Sequence, residues 1–279
     1  MILYLKLIRP HQWLKNLMLF FPPFLAGEII SIAQLSKVIS PFIAFSLAAS
    51  ATYVFNDIID RHADLLHPQK CQRPLPAGVV SITAAWWVAG VLIVVAFIVG
   101  LLWTQPAVVW LLAYVVLSLL YTLFLKNVLL VDLFTIAAFF IIRLQAGGAA
   151  FGVNISTWLF LSVFLLALFL SSGKRLGELN MLGEDAASHR GSLTEYSPQF
   201  LNAILCITAS TVLVTYTMYC ITHTVLVYSV PLCTYGLLRY IYRVQHGQNG
   251  DPTASLLCDR HLLIVGVSWV LMVGFDIYA

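Results

Sequence analysis

The stretch ISPFIAFSLAASATYVFNDIIDRHAD, residues 39–64, passes from an apolar segment straight into three aspartates. The apolar part, residues 39–56, is close to the ~20 residues that an α-helix needs to cross a bilayer. Asp57, Asp60 and Asp64 follow at spacings of three and four residues, although the whole chain of 279 residues has only 12 acidic residues. The stretch therefore indicates a membrane helix that ends in a group of carboxylates.

The composition of the whole chain also points to a bilayer. Hydrophobic residues make up 61% of the sequence and charged residues 10%, whereas about a quarter of a soluble domain is charged. Because backbone groups in lipid must pair within their own segment, apolar runs of this length predict transmembrane helices. Nine such runs lie near residues 14–32, 39–56, 82–103, 107–124, 129–149, 156–173, 199–222, 225–241 and 261–278. We predict an all-α polytopic bundle of nine transmembrane helices that forms a single domain over residues 1–279.

The lysines and arginines predict the orientation of this bundle. With nine spans, all of the 15 basic residues except Lys37 and Arg143 fall at one membrane face. The positive-inside rule places that face and the N-terminus in the cytoplasm, and the C-terminus outside. Most of the acidic residues lie at the same face, so we expect cytoplasmic active-site loops. Pro22 and Pro23 in the first run and Pro231 in the eighth are expected to bend or break those helices.

Two classes of site are not indicated. The five cysteines stand far apart with no C-x-x-C pair and no histidine at zinc-finger spacing, so neither a zinc site nor a disulfide framework is expected. The formal net charge is only +3 and the basic residues are spread over several loops, so nucleic acid is not an expected partner. A homo-oligomer is compatible with the sequence, which carries no sign for or against one.

The spacing of the three aspartates brings them onto one helix face. On a helix continued through residue 64, at about 100° per residue, Asp57 and Asp64 lie about 20° apart around the axis, with Asp60 about 60° to one side. Carboxylates so placed repel one another, and the dipole disfavours them at a helix C-terminal end. Positive charge is therefore expected beside them.

Arg61, Lys70 and Arg73 are candidates to supply that charge, and two interpretations remain open. In the first, the aspartates and these residues form a salt-bridged helix end that faces solvent. In the second, the carboxylates bind Mg²⁺ for a diphosphate substrate, with Asn56 as a further oxygen ligand, because Mg²⁺ commonly uses carboxylates, waters and phosphate oxygens together.

The residues from Asn56 to Asp64 spell N-D-x-x-D-x-x-x-D, which resembles the first signature of the UbiA-type superfamily of intramembrane prenyltransferases. The resemblance implies nine transmembrane helices and a diphosphate bound through Mg²⁺. Tyr121 and Lys126, at the end of the fourth span, are similar to a tyrosine and a lysine that the family carries before its fifth helix.

The loop after the sixth span departs from the prenyltransferase pattern, which has a second aspartate-rich motif there. This sequence instead reads GKRLGE, with Lys174, Arg175 and Glu178. The two basic residues lie four and three positions before the glutamate, so an ordinary intrahelical ion pair is one interpretation. The other is a direct anion site, since the arginine fork matches phosphate oxygens.

Four motifs are similar to those of the decaprenyl-phosphate phosphoribosyltransferase branch of the superfamily. They are G-K-R-x-x-E, S-L-x-E-Y (Ser192 to Tyr196), R-P-x-Q-W-x-K-N (Arg9 to Asn16) and H-P-x-K-x-x-R-P (His67 to Pro74). This resemblance implies transfer of the 5-phosphoribosyl group from phosphoribosyl diphosphate to a polyprenyl phosphate, with release of diphosphate, in the plasma membrane of a bacterium. The alternative is a prenyltransferase that moves a prenyl group from prenyl diphosphate to an aromatic or other acceptor.

Under the phosphoribosyltransferase interpretation the candidate residues have separate roles. Asp57, Asp60 and Asp64, with Asn56, would hold Mg²⁺ against the diphosphate. Lys174 and Arg175 would bind either the ribose 5-phosphate or the lipid phosphate. The remaining candidates for the anionic substrates are Arg61, Lys70, Arg73, Glu178, Lys15, Tyr121 and Lys126.

Arg143 stands apart because it lies within the fifth predicted span, about 16 Å along the helix from Asp132. An intramembrane charge is expected to be functional, and the acceptor phosphate or a water-filled cavity could be its partner. A structural hydrogen-bond centre near Gly147 and Gly148 is equally compatible, because small residues mark close helix packing. Asp132 begins the span, where a helix cap is favoured over a ligand.

Overall fold

The computed structural model describes residues 2–29, 32–66, 70–182, 193, 195–221, 226–248 and 250–279. Within these ranges every element of secondary structure is an α-helix or a 3-10 helix, and no residue belongs to a β-strand. This confirms the all-α prediction. Two of the motifs noted above begin at His67 and Ser192, which lie outside the described residues.

Twelve α-helices follow one another along the described chain. They are α1 (Ile2–Ile8), α2 (Phe21–Leu25), α3 (Ile32–Ile59), α4 (Arg61–Leu65), α5 (Ile82–Trp103), α6 (Gln105–Leu123), α7 (Val131–Phe151), α8 (Thr157–Leu182), α9 (Pro198–Cys220), α10 (Val230–Gln245), α11 (Pro252–Cys258) and α12 (Arg260–Tyr278). Short 3-10 helices lie at Lys70–Gln72, Leu125–Asn127 and Leu226–Ser229, and a longer one lies at Pro10–Phe20.

Internal contacts divide the chain into two compact units. The first contains Met1–Pro23, Glu28–Lys126 and Ile142–Asn154, and the second contains Phe24–Gly27, Asn127–Ile141 and Ile155–Ala279. Helix α7 thus contributes its first part to the second unit and its last part to the first. The single domain expected from the sequence stays a prediction.

Seven of the nine predicted spans are helices that are long and apolar enough to cross a membrane. They are Ile39–Ile59, Ile82–Trp103, Gln105–Leu123, Val131–Phe151, Thr157–Met181, Pro198–Cys220 and Arg260–Tyr278. The chain is therefore an integral membrane protein. The first and eighth predicted runs differ, because neither forms a continuous α-helix of that length within the described residues.

Proline explains both differences. In the first run the 3-10 helix Pro10–Phe20 gives way to the five-residue α2, which contains Pro22 and Pro23. Each proline fixes its φ angle and has no N–H to donate, so an extended α-helix is not supported there. In the eighth run the 3-10 helix Leu226–Ser229 ends where α10 begins at Val230, so the run is broken there. Pro231 lies in the first turn of α10, the position where a residue without an N–H is tolerated.

The first unit is organised around α3, which packs along α5 and also contacts α6 and the 3-10 helix Pro10–Phe20. Small buried side chains line α3, namely Ala44, Ser46, Ala48, Ala49, Ser50 and Ala51. Small residues let helix backbones approach closely, which is the main source of helix association where lipid offers no hydrophobic advantage. Leu7, Val54, Leu75, Val80, Ala85 and Ala89 form a buried cluster in this unit.

The second unit packs α8 against α9 and α10, with α10 also contacting α12. Its main buried cluster includes Leu133, Ala167, Phe169, Leu176, Leu201, Leu205, Tyr240 and Val244. In this cluster Phe169 and Tyr240 lie with ring centroids 5.2 Å apart. One member of the cluster, Leu176, directly follows Lys174 and Arg175 in α8.

Gly147 marks a close backbone approach within the first unit. A Cβ built on this residue of α7 would meet the carbonyl oxygen of Leu19, and it would lie 3.0 Å from the Leu19 Cα. Backbone atoms cannot rotate away as a flexible side chain can, so only glycine fits this position.

We expect Gly147→Ala to lower the free energy of unfolding by about 1–3 kcal/mol through this overpacking. Thermal unfolding of the purified protein in detergent would measure the effect. Gly90→Ala is the matched control, since Gly90 is a helical glycine of the same unit with no atom within 4 Å of an added Cβ. An unfolding temperature that falls equally in both variants would contradict the packing argument.

Candidate active site

The predicted aspartates lie where α3 ends, in a segment that we call the aspartate turn (residues 56–64). Asp57 is in the last turn of α3, and Asp64 is in α4. Asp60 separates the two helices with φ −85° and ψ 3°, so the helix is not continuous through residue 64. Hydrogen bonds of 2.8 Å from Asp60 N to Asn56 O and from Asp64 N to Asp60 O keep the path nearly helical, which preserves the predicted spacing.

Asp57 and Asp64 share one cationic partner, as their common helix face predicts. One nitrogen of Arg73, Nη1, lies 3.2 Å from Oδ1 of Asp57 and 2.5 Å from Oδ2 of Asp64. Both carboxylates are buried, with 1% and 4% of their surface exposed. Lys70 Nζ lies 4.0 Å from Asp64 Oδ1. Positive charge therefore stands beside the aspartates, as expected.

Arg61 does not take part in this pairing. Its guanidinium instead contacts the ring nitrogen Nε2 of His62 at 2.8 Å. Of the three basic residues predicted beside the aspartates, the structure brings Lys70 and Arg73 to the carboxylates.

Arg9 is a second guanidinium on Asp57, and its role was not predicted. Its Nη2 donates to both carboxylate oxygens of Asp57, with 2.6 Å to Oδ2. The guanidinium carbon also lies 5.5 Å from the centroid of the Tyr53 ring. The sequence offered a signal in the R-P-x-Q-W-x-K-N motif, which begins at Arg9, but the contact joins residues 48 positions apart.

The backbone of Arg9 is strained, with φ 50° and ψ 62° in the left-handed region. A residue other than glycine held there costs on the order of 1–3 kcal/mol, and such outliers concentrate at functional sites. Pro10 follows directly and disfavours the ordinary helical conformation at Arg9. The position of the guanidinium therefore depends on a backbone conformation that the surrounding contacts must maintain.

Asp60 and Asn56 face α6 and the segment that follows it. The Lys126 ammonium donates to Asp60 Oδ1, and Thr122 Oγ1 donates to Asn56 Oδ1 at 3.3 Å. Tyr121 precedes Thr122 in the same helix and is half-buried. Of the two predicted family-like residues, Lys126 therefore contacts an aspartate.

Arg143 lies in a buried polar network of the first unit. Its Nε donates to Asn16 Oδ1 at 2.7 Å, and Asn16 Nδ2 donates to Ser46 Oγ at 3.0 Å. Its guanidinium carbon is 4.6 Å from the centroid of the Tyr114 ring. These contacts, one helical turn from Gly147, favour the structural interpretation. Lys15, next to Asn16 on the 3-10 helix, is half-buried.

The aspartate turn suits a hard cation by its donor type, but it is not a preformed metal cage. Among the described residues no three His, Cys, Asp or Glu side chains are grouped to hold a metal ion. Mg²⁺ needs only one or two protein carboxylates when substrate phosphates and waters complete its shell. The guanidinium of Arg73 contacts both Asp57 and Asp64, so these two carboxylates lie close enough to bind one cation together. Asp60 contacts a different cation, the ammonium of Lys126.

In the second unit, Arg175 is enclosed by carboxylates. Its Nε lies 2.9 Å from Asp132 Oδ2, and its Nη1 lies 2.5 Å from Glu178 Oε2. The contact between positions 175 and 178 is the intrahelical ion pair of the first interpretation, and the anion site of the second stays a prediction. The arginine side chain is only 2% exposed, so the guanidinium belongs to the protein interior.

Asp132 is the buried partner that holds this arrangement. Helix α7 begins at Val131, so Asp132 lies within its first turn and the predicted capping position is wrong. Its Oδ1 accepts hydrogen bonds from its neighbour Leu133 N at 2.9 Å and from the Tyr196 hydroxyl at 2.7 Å. A carboxylate in the first turn is still favoured by the helix dipole.

Tyr196 connects the segment before α9 to the start of α7. Its hydroxyl oxygen accepts the N–H of Leu130 at 2.9 Å while donating to Asp132. Burial raises the pKa of Tyr196, and the hydrogen bond to Asp132 raises it further. The hydroxyl therefore stays protonated at physiological pH and acts as a donor. This residue ends the S-L-x-E-Y motif, to which no role had been given.

Lys174 differs from its neighbour in both exposure and partner. Its Nζ lies 3.2 Å from Asp251 Oδ2, and its side chain is 35% exposed. Adjacent residues on a helix point about 100° apart, which places the lysine at the surface of the unit while Arg175 points inward. Asp251 was not predicted, because it lies 77 positions further along the chain.

Comparisons with known proteins identify relatives that align with nearly the whole chain. Decaprenyl-phosphate phosphoribosyltransferase of Mycobacterium tuberculosis is 33% identical over an alignment covering 96% of this chain and 92% of that protein. The protein of the same name from Corynebacterium glutamicum is 30% identical, covering 98% of this chain and 86% of its own length. A UbiA homolog from Archaeoglobus fulgidus, solved bound to DMAPP and Mg²⁺, superposes with a TM-score of 0.76 at 16% identity, covering 98% of each chain.

The sequence profile of the UbiA prenyltransferase family matches residues 20–265, which is most of the chain. The matched residues include the aspartate turn in the first unit and the Lys174 and Arg175 turn in the second. The protein therefore belongs to the UbiA prenyltransferase family.

Proposed function

We propose that this protein transfers the 5-phosphoribosyl group from phosphoribosyl diphosphate to a polyprenyl phosphate and releases diphosphate. The observation that carries this choice of substrates is the identity of 30–33% with proteins named decaprenyl-phosphate phosphoribosyltransferase over nearly the full chain. The geometry of the aspartate turn supports binding of a diphosphate, which the alternative prenyl transfer would also need. The proposed setting is the bacterial plasma membrane, with nine spans, a cytoplasmic N-terminus and the site at the cytoplasmic face.

The aspartate turn is the proposed diphosphate site. Asp57 and Asp64, with Asp60 and Asn56 beside them, would hold Mg²⁺, which supplies positive charge to the diphosphate oxygens when bound. Arg9 and Arg73 are 16% and 27% exposed at their side chains, and they would bind the phosphate oxygens beside the metal. Two guanidiniums beside two carboxylates can exchange partners without leaving a charge buried alone.

The reaction itself requires little of the protein beyond alignment and charge. A phosphate oxygen of the lipid attacks the anomeric carbon of the ribose, and the bond from that carbon to the diphosphate oxygen breaks. The attacking group is already an anion, so no strong general base is needed. In-line attack inverts the anomeric centre, so an α-configured donor gives a β-linked product.

Lys174 is the proposed ligand of a substrate phosphate in the second unit, either the ribose 5-phosphate or the lipid phosphate. It is the more exposed of the two adjacent cations, and its ammonium carries three donors. Arg175, which the sequence also suggested as a phosphate ligand, is better suited to holding Asp132 and Glu178.

We expect the purified protein in lipid nanodiscs to make labelled lipid phosphoribose from radiolabelled phosphoribosyl diphosphate, a polyprenyl phosphate and Mg²⁺. The product should be β-linked, and omission of Mg²⁺ should abolish its formation. The matched arm supplies prenyl diphosphate with an aromatic acceptor. Product in that arm alone would reject the proposal in favour of prenyl transfer.

We expect Asp64→Asn to lower kcat/KM by roughly 10²–10³, the range seen when a charge-stabilising group is removed. It should also raise the Mg²⁺ concentration needed for half-maximal activity, because a metal ligand is lost. Glu28→Gln is the control, since it makes the same carboxylate-to-amide change at an exposed position of the same unit. Unaltered turnover and metal dependence in Asp64→Asn would remove the aspartate turn from the mechanism.

We expect Lys174→Met to weaken substrate binding and Arg175→Met to lower the stability of the fold. Loss of Arg175 leaves Asp132 buried without its cation, which costs about 3–5 kcal/mol of stability, so the unfolding temperature should fall. Loss of Lys174 should leave the unfolding temperature near that of the wild type while the KM for one phosphate substrate rises. The reverse assignment of the two effects would show that Arg175 is the phosphate ligand.

A further inference from the structure

The segment between α10 and α11 lies directly against the turn of α8 that carries Lys174. A Cβ built on Gly250 would lie 2.9 Å from the Lys174 Cα and would also meet the Gly173 carbonyl oxygen. A Cβ on Gly177 would lie 2.7 Å from Gly250 N. Gly173, Gly177 and Gly250 thus let two backbones touch, as small residues do where helices pack closely.

Tyr240 fixes the same segment from the side of α10. Its hydroxyl donates to the Gly250 carbonyl oxygen at 2.7 Å, and a Cβ on Gly173 would lie 2.6 Å from that hydroxyl oxygen. The tyrosine is 3% exposed. The backbone of Gly250 is therefore held against α8, and this restricts the position of the next residue, Asp251.

The carboxylate of Asp251 is held independently of Lys174. Its Oδ1 accepts the N–H groups of Thr253 and Ala254, both at 3.1 Å, and so caps the start of α11. Its Oδ2 accepts the Lys174 ammonium. Capping fixes one oxygen of the carboxylate, so the other is presented to the lysine at a defined position.

We propose that Asp251 is a positioning residue for Lys174, holding its ammonium where a substrate phosphate binds. The inference rests on the proposed function, in which Lys174 binds a phosphate of one of the two substrates. A lysine side chain has many rotamers and loses much entropy when its ammonium is confined. Because the ion pair with Asp251 forms before the substrate binds, part of the side-chain entropy of Lys174 is already lost at that point. The ammonium has three N–H donors, so donors remain for the phosphate.

Asp251→Asn is the variant that isolates the ion pair. Asparagine caps a helix about as well as aspartate, so α11 keeps its N-cap while the negative charge beside Lys174 is removed. The full-length chain in nanodiscs would be prepared as wild type, Asp251→Asn, Lys174→Met and the double variant. Binding of radiolabelled phosphoribosyl diphosphate and of a short-chain polyprenyl phosphate would be measured for each, together with the unfolding temperature.

We expect Asp251→Asn to weaken binding of one of the two ligands by roughly three- to tenfold, as neighbouring coupled residues do. Lys174→Met should weaken the same ligand at least as much, and the double variant should bind like Lys174→Met. In turnover, the KM for that substrate should rise in Asp251→Asn while kcat stays near the wild-type value.

Three results would overturn the proposal. In the first, Asp251→Asn binds both ligands like the wild type. In the second, the double variant binds more weakly than Lys174→Met, because Asp251 would then act without the lysine. In the third, Asp251→Asn and Asp251→Ser, which also retains a capping oxygen, both lose stability while the folded fraction binds normally. A wild-type chain that binds neither ligand would instead refute the proposed function itself, together with this inference.

Discussion

Pairing of buried aspartate with arginine is the constraint on which both units depend. Each aspartate that the described residues bury contacts at least one guanidinium. The pairs are Asp57 with Arg9 and Arg73, Asp64 with Arg73, Asp132 with Arg175, and Asp259 with Arg239 and Arg243. An isolated charge away from water is strongly destabilising, and removing one partner of a buried pair costs about 3–5 kcal/mol. Arginine suits this task because it stays charged and offers several donors in a rigid plane.

These pairs differ in how far the cation is exposed. Arg175 is 2% exposed and Asp132 is fully buried, so this pair joins α7 to α8 within the interior of the second unit. Arg73 is 27% exposed at its side chain, although both of its carboxylate partners are buried. The cation of the aspartate turn is therefore partly exposed, whereas the two aspartates that it contacts are buried.

Local sequence pattern predicted what depends on local structure. Apolar run length identified the seven long helices. The spacing of Asp57 and Asp64 predicted a shared helix face with positive charge beside it, and Arg73 contacts both carboxylates. The same reasoning assigned a nine-helix count in which the first and eighth spans are not confirmed, because proline and a 3-10 helix shorten the α-helical part. Hydropathy measures how apolar a segment is, and it does not register how the backbone pairs its hydrogen bonds.

Contacts between distant parts of the chain were beyond that reasoning. Arg9 lies 48 positions from Asp57, Asp132 lies 43 from Arg175, and Asp251 lies 77 from Lys174. No periodicity connects residues at such separations. The charges themselves were visible in the sequence, but the choice among several possible partners depends on tertiary packing. Asp251 is the clearest case, since three glycines and a tyrosine, each unremarkable alone, bring its backbone to Lys174.

Arg9 shows how local strain and a distant contact can depend on each other. Its left-handed backbone separates α1 from the 3-10 helix that begins at Pro10, and neither the side chain nor the following proline makes that conformation favourable by itself. The two contacts with Asp57 and the ring of Tyr53 hold the guanidinium on α3. The strained residue thus ties the N-terminal segment to the aspartate turn, and the charge of Asp57 supplies the interaction that maintains the strain.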